Sequence, residues 1–466
     1  MKFSKDVLKL CALLQKKGYA TYIVGGAVRD TLLGIENYDV DIATAATPDV
    51  VKKTLSKKFK IYTAGEKFGT IGLVTKKGNI EITSFREEGF YEDSRRPSHV
   101  SFTSSAEADS KRRDFTINAL YCDPVSKELL DWHNGLLDLK KKEIRFVGSA
   151  EKRIKEDPLR MLRAVRFATK LGFNINRKDF GVIKKYSKLI HKTSKQRIKE
   201  ELDRILLDTN FVRGLELLDQ TFLLKEIFPA VDNLKKVKQS KDFHAEGNVF
   251  KHTLFAMNFA NDFDLAMRYA LLFHDLGKIS TAQAKKLAGR THISFQGHAH
   301  VGALLFEDIS KYFPFTKEEK RRITYLIKHH MDLLRNMSLP LKVLVKWAQN
   351  EDLGDLIRLR IADSKASLRT DSSGHFVKKD LSPYLKMFKL WTKVRAAWQL
   401  NLISALEVQK ILKIKPGPYL GFIIREIKVR QVSGSIKNKR DAEKYLRTLL
   451  KKSVDKARKS LDKKRF

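Results

Sequence analysis

The chain has 466 residues, 42% hydrophobic and 31% charged, which excludes wholesale disorder and, at this length, implies several domains rather than one. Lys and Arg number 92 against 54 Asp and Glu, a net charge of +38, and so large a surplus points to a polyanionic partner, most simply a nucleic acid. Only Cys11 and Cys122 are present, which excludes a disulfide framework or a cysteine-based zinc site and suits a reducing, cytoplasmic setting; no apolar run approaches the ~20 residues of a spanning helix, so no membrane is expected as partner, and the N-terminus lacks the apolar core of a signal peptide.

Residues 1–19 have helical period, and TYIVG (21–25) is a short β-rich run ending in glycine. AVRDTLLG (27–34) reads as a helix closed by Gly34, and YDVDIAT (38–44) alternates as a strand does. Thr47 and Pro48 have the residue types of an N-cap and first helical position for 47–58. IGLVTKKGNIEITSF (71–85) reads as a hairpin turning at Lys77-Gly78-Asn79. Residues 1–145 are therefore expected to be an α/β domain. Beyond them helical patterns dominate: EDPLRMLRAVRFATKLG (156–172), IKEELDRILL (198–207), and the segments 251–274, 302–312 and 316–335. KIKPGPYLGF (413–422) is a turn before a last, basic helical region.

Asp39 and Asp41 are two apart on the expected strand, so their side chains leave one face. Carboxylates this close repel, and a hard divalent cation lets both stay ionised. Glu81, in the alternating run IEITSF, supplies a third oxygen ligand if its strand is a neighbour; three such acids can hold two Mg²⁺ ions for in-line phosphoryl transfer. Gly25 and Gly26, between strand and helix, let backbone N–H groups approach phosphate, and Arg29, one turn on, is placed to reach a triphosphate.

Taken singly these features are ordinary. In this order, YIVGGAVRDTLLG followed by YDVDIATAATPDVV resembles the head domain of the class II CCA-adding tRNA nucleotidyltransferase and poly(A) polymerase family, of the DNA polymerase β-like superfamily. The resemblance implies an α/β head with a mixed sheet, followed by a mostly α-helical neck, body and HD-type domain. It extends to RRDFTINAL (112–120), where it implies that Arg113 touches the incoming nucleotide and Asp114 helps to place its ribose or triphosphate.

EDPLRMLRAVRF (156–167) matches the family's nucleotide-selecting helix. Asp157 and Arg160, three apart on a helix, are expected to share a face. A carboxylate acceptor beside a guanidinium donor pairs with the amino group and ring nitrogen of cytosine or adenine. Against uracil or guanine it leaves polar groups unpaired, at about 1–3 kcal/mol each. The resemblance adds Arg163 and Arg166 as nucleotide contacts. REEGFYEDSRRPSHVSF (86–102) resembles the family's flexible loop for the switch from C to A addition, and AGEKFGTIGLV (64–74), with Phe68-Gly69-Thr70, resembles its CCA-type form. Ser110 departs from the leucine common before RRD.

In the second half His252, His274-Asp275 in LLFHDLGK, His298, His329-His330 and Asp363 recur on separate helical segments, a pattern able to converge on one or two divalent metals. The order resembles the HD phosphohydrolase domain found in one bacterial branch of the family. That implies His252, His274, Asp275 and Asp363 as ligands of a Mn, Ni or Mg ion, with His298 and His329 as further candidates, and a phosphohydrolase activity on RNA ends.

The expected organisation is a head at 1–145, a neck at 146–208, a connector at 209–240, an HD-type domain at 241–375 and a basic C-terminal region at 376–466. The expected function is template-independent addition or repair of the tRNA 3′-CCA from CTP and ATP with Mg²⁺, gripping the acceptor–TΨC half of tRNA and needing no protein partner. A-only addition, poly(A) synthesis, and an HD phosphohydrolase with an RNA-binding head are the alternatives.

Overall fold

The computed structural model describes residues 3–36, 40–63, 65–75, 78–88, 100–239, 247–287, 290–333, 341–370, 376–377 and 379–462. Asp39 and residues 89–99 of the expected flexible loop lie outside them. The chain divides into two compact units, Met1–Asp232 with Tyr312–Pro314, and Asn233–Lys311 with Phe315–Phe466; the boundary at Asp232–Asn233 falls within the expected connector.

The first unit opens with α1 (Lys5–Gln15), N-capped by the Ser4 side chain and burying Val7, Leu10, Cys11 and Leu14 at helical spacing. Next come β1 (Thr21–Val24), α2 (Gly26–Leu32), β2 (Val40–Thr44), α3 (Pro48–Leu55), β3 (Lys60–Tyr62), β4 (Thr70–Thr75) and β5 (Gly78–Ser84). Thr47 precedes α3 in extended backbone with Pro48 inside the helix, as expected, although the Thr47 side chain makes no cap bond. The expected hairpin is β4–β5. A two-stranded ribbon, β6 (Arg86–Glu88) with β7 (Val100–Phe102), frames the loop segment. Helix α4 (Ala106–Lys111) and strands β8 (Tyr121–Cys122) and β9 (Leu129–Leu130) follow. The sheet runs β3-β4-β5-β2-β1-β8-β9, with β2 and β5 parallel and every other pair antiparallel. Val24, Ala43, Phe85 and Tyr121 form a buried cluster against it.

After α5 (Gly135–Lys141) the unit is mainly helical: α6 (Ala150–Glu156), α7 (Leu159–Leu171), α8 (Arg177–Tyr186) and α9 (Lys195–Leu207), with α9 lying against α7. The continuous helix expected over 156–172 is corrected here. Asp157 has extended backbone (φ −145°, ψ 100°) and separates α6 from α7, because the residue before a proline is sterically pushed out of the helical region and Pro158 follows.

In the second unit, helices Val249–Met257 and His298–Tyr312 carry the buried His252 and His298, His274 and His330 directly follow Leu265–Phe273 and Lys317–His329, and Leu353–Ala366 carries the buried Asp363. The expected 251–274 helix is two helices; Asp264 caps the second by accepting from the Met267 N–H (3.0 Å). The C-terminal helices Ala405–Leu412, Pro418–Val432 and Lys439–Asp462 share a core of Val408, Leu420, Ile423, Ile427 and Leu446. The buried Lys428 Nζ closes the end of Ser382–Gln399, donating to the carbonyls of Ala397 and Leu400 at 2.7 Å each. Among the described residues no helix is long and apolar enough to cross a membrane.

Candidate functional site

Parallel pairing of β2 with β5 sets Asp41 directly opposite Glu81. Registered partners face the same side of a sheet, and both side chains are exposed. The same register row runs outward through Gly72 to Tyr62, whose ring occupies the place a side chain at Gly72 would take. Two hard oxygen donors facing water on neighbouring strands suit a divalent cation, which offsets their repulsion.

Gly25 closes over this pair. A Cβ there would lie 3.2 Å from Arg113 Nη1 and 3.6 Å from Asp41 Oδ2, and its φ of +68° is one that only glycine adopts freely. The Gly25 N–H is already given to the Leu120 carbonyl (3.2 Å). Arg113 Nε donates to the Tyr121 hydroxyl (2.9 Å), and Tyr121 in turn donates to the buried Asp109 carboxylate. Burial opposes charge on Arg113, but Tyr121, Asp109 and Asp41 outweigh it and hold the guanidinium's pKa above its ordinary value. One fixed cation thus stands beside the acids. Ser110, the departure from the family pattern, is buried and hydrogen-bonded to His133 Nε2 (2.8 Å).

Arg29 does not reach outward as expected. It is 3% exposed, with Nη1 on Asn118 Oδ1 (2.5 Å) and Nε on Asp30 Oδ1 (2.7 Å). A guanidinium one turn into a helix that packs on the sheet is buried, so it must be paired. Its pairing starts a polar chain that sequence spacing did not show. Asn118 Nδ2 donates to Asp114 (3.1 Å), and Asp114 Oδ2 accepts from Arg163 Nε and Nη2 (2.9 and 2.6 Å). Arg163 also lies 3.7 Å from Glu201, which accepts from Arg166 Nε (2.5 Å). Arg29, Arg163 and Arg166 all pack over the Phe167 ring at 5.1, 5.5 and 4.2 Å. Burial alone would raise the Asp114 carboxyl; Arg163 and Asn118 overcome this and depress it to about 2.

The expected Asp157–Arg160 pair is likewise corrected. With Asp157 outside α7, its carboxylate is held by Arg197 of α9 (Nη1–Oδ1 3.1 Å, Nη2–Oδ2 2.8 Å) and accepts the Leu159 N–H (3.1 Å). Arg160, 7% exposed, turns to Glu156 Oε2 (2.6 Å) and to the carbonyls of Arg153 and Arg112 (3.1 and 3.2 Å). Asn118, Arg197 and Glu201 were not identified from sequence; Pro158 was the one readable signal that Asp157 leaves the helix.

The second unit gathers His252, His274 and Asp275, and also Asp275, His298 and His330, each group with its ligand atoms within 4.8 Å of one another. His252 Nε2 bonds Asp363 Oδ1 (2.8 Å), whose other oxygen pairs with Arg360. Nδ1 of His274, His298 and His330 each lies 2.7 Å from a carbonyl three residues back (Leu271, Phe295 and Ile327). A carbonyl only accepts, so each Nδ1 donates its proton there and each Nε2 is left facing inward. His298 Nε2 and His330 Nε2 then face each other at 3.0 Å, while burial keeps both rings below the ordinary imidazole pKa. His274 Nε2 is buried with no hydrogen-bond partner, 3.2 Å from Asp275 Oδ2. These residues fit a divalent metal. The expected ligand His329 is corrected: successive helical residues differ by about 100°, and it points away to Asp332 (2.7 Å) while His330 faces inward.

Residues 21–145 match the Poly A polymerase head domain, 172–235 the probable RNA and SrmB-binding site of polymerase A, and 249–364 the HD domain. The chain thus carries, in this order, segments similar to a poly(A) polymerase head, an RNA-binding segment and an HD domain. It is 41% identical over 239 residues to the CCA-adding enzyme of Ligilactobacillus salivarius, covering 51% of this chain and 58% of that one. It is 42% identical over 237 residues to that of Lactococcus lactis subsp. cremoris strain MG1363, covering 50% and 58%. The match thus spans little more than half the length of these relatives. The Bacillus stearothermophilus CCA-adding enzyme in complex with CTP shares the fold over 98% of both chains, with TM-score 0.64 and 24% identity. The Thermotoga maritima CCA-adding enzyme complexed with tRNA does so over 96% of both, with TM-score 0.64 and 18% identity. A mixed-sheet head with a mostly helical remainder is thus the fold this chain shares with these two structures.

Proposed function

We propose that this chain adds or repairs the 3′-terminal CCA of tRNA, using CTP and ATP without a template. The observation that carries this reading is the registered Asp41–Glu81 pair beside Arg113. Asp39, Asp41 and Glu81 would hold Mg²⁺, which would polarise the α-phosphate and shield its charge. The chain's own groups do the rest. Asp39 or Asp41 orients the RNA 3′-hydroxyl and draws off its proton. The hydroxyl oxygen forms the new bond to the α-phosphorus as the bond to the β-phosphate oxygen breaks, and pyrophosphate leaves with that electron pair. Arg113, held by Tyr121 and Asp109, binds triphosphate oxygens. Asp114 and Arg163 fix the sugar side, and Asp157 accepts from the amino group of cytosine or adenine. Arg29 and Arg160 act from behind, through Asn118 and Glu156. The head at 1–145 and neck at 146–208 build this site; the basic C-terminal region at 376–466 grips the acceptor–TΨC half of tRNA.

The test incubates the protein with tRNA ending before CCA, after the first C and after the second C, with each nucleoside triphosphate in turn. Completion to CCA on all three supports the reading. Addition of A alone to the last substrate, or long A tracts, replaces it with one of the alternatives, neither of which the named relatives favour.

The facing Nε2 atoms of the HD cluster support a second activity, phosphomonoester or 2′,3′-cyclic phosphodiester hydrolysis at RNA ends. His252, His274, Asp275, His298, His330 and Asp363 are the residues to hold Mn, Ni or Mg, which when bound lowers the pKa of a coordinated water. Release of phosphate from a 3′-phosphorylated RNA, lost on substituting His274 and Asp275, is its test.

A further inference from the structure

Helix α9 supplies a residue that no sequence motif above assigns to the site. Asp157 stands in extended backbone between α6 and α7, tied to them through its backbone (its N–H on the Arg153 carbonyl at 3.2 Å, its carbonyl accepting the Arg160 N–H at 3.0 Å), and the Arg160 guanidinium is committed to Glu156 and two carbonyls. What fixes the carboxylate is Arg197, 40 residues away, through two parallel hydrogen bonds of 3.1 and 2.8 Å. A bidentate guanidinium sets the plane of a carboxylate, as a single ammonium does not. The pair is largely buried, at 22% exposure for Arg197 and 15% for Asp157, so little water competes. Each carboxylate oxygen has two lone pairs. Arg197 and the Leu159 N–H take three of the four, leaving one on Oδ2 for an amino group.

We propose that Arg197 is the positioning residue for nucleotide choice: by locking Asp157 as a fixed acceptor it makes the site accept the amino edge of cytosine and adenine and refuse the carbonyl edge of uracil and guanine. This rests on the nucleotidyltransferase reading above. A carboxylate released from Arg197 can rotate, and its oxygens no longer stand fixed against the carbonyl of uracil or guanine. Arg197 therefore acts on discrimination between nucleotides rather than on bond making.

The experiment uses the full-length protein and its R197A and R197K variants on tRNA ending before CCA and on tRNA ending in CC. Wild type establishes the reading first: if it adds neither C nor A, the nucleotidyltransferase assignment fails and Arg197 with it. Given addition, R197A is expected to raise KM for CTP and ATP about tenfold, with kcat changed less than about threefold. The preference for CTP over UTP, and for ATP over GTP, is expected to fall by a similar factor. R197K, keeping charge but not the fork, is expected to recover only part of that preference. A merely structural role predicts lower melting temperature and less active protein with KM and preference unchanged, and that result in R197A would overturn the proposal. Should R197A not fold, an R197K variant with full wild-type preference would overturn it equally.

Discussion

Asp114 accepts two hydrogen bonds on a single carboxylate oxygen from Arg163, 49 residues further along the chain, so the segment after α4 and helix α7 are locked together beside the acids. The lock has a pH signature. Its folded pKa is about 2 against an unfolded value near 4, and a depressed carboxyl stabilises the fold above its unfolded pKa. That stabilisation is lost as pH falls through the folded pKa. The difference in unfolding free energy between wild type and D114N is expected to be full at pH 7 and to shrink by on the order of 2 kcal/mol between about pH 4 and pH 2. Denaturant titrations across that range measure it; a pH-independent difference would show that Asp114 is not held ionised by Arg163.

Asn118 joins Arg29 to Asp114. Replacing it with alanine leaves a buried guanidinium and a buried carboxylate each short of a partner, at a cost of roughly 1–3 kcal/mol. N118A is expected to melt at a lower temperature and to raise KM for both nucleotides together, through Asp114, without altering which nucleotide is preferred. Preference lost in N118A would place the selecting groups on the Asn118 chain instead of at Asp157.

Gly25 meets two demands at once, a left-handed φ and the approach of Arg113. G25A is expected to cost about 1–2 kcal/mol in backbone strain and to push Arg113 from its place. Triphosphate binding should weaken at least severalfold while tRNA affinity stays within about twofold, as measured by equilibrium binding of each. Unaltered nucleotide affinity in G25A would exclude Arg113 as a triphosphate ligand.

The HD cluster separates two adjacent histidines. H330A removes an Nε2 that faces His298, whereas H329A removes a ring paired with Asp332 at the surface. Metal titration by calorimetry is expected to show Mn²⁺ or Ni²⁺ binding weakened at least about tenfold in H330A and unchanged in H329A. Equal effects would place the ion elsewhere.

Much of the head was legible because its chemistry is local. Strand alternation placed Asp41 and Glu81 on strands, and glycines marked the turn before α2. The HD residues were legible as a spaced order of ligand types. What stayed hidden depends on contacts between distant segments. Spacing put Asp157 and Arg160 on one face, but Pro158 ended the helix and a residue 40 positions on captured Asp157. Arg29 looked available from its position near a helix start, yet packing on the sheet buried it against Asn118. His329 and His330 are indistinguishable by composition; only the helix phase relative to its neighbours chooses between them.

The claim that Asp41 and Glu81 form the seat of nucleotidyl transfer is tested most directly by single-turnover addition of C to tRNA ending before CCA, comparing wild type with D41N and E81Q, alongside tRNA binding by the same proteins. These substitutions keep shape and remove charge. D41N is expected to lower the rate at least about a thousandfold, with E81Q also strongly impaired, while tRNA affinity stays within about twofold. Addition at near wild-type rate by D41N, in protein that still binds tRNA, would contradict it.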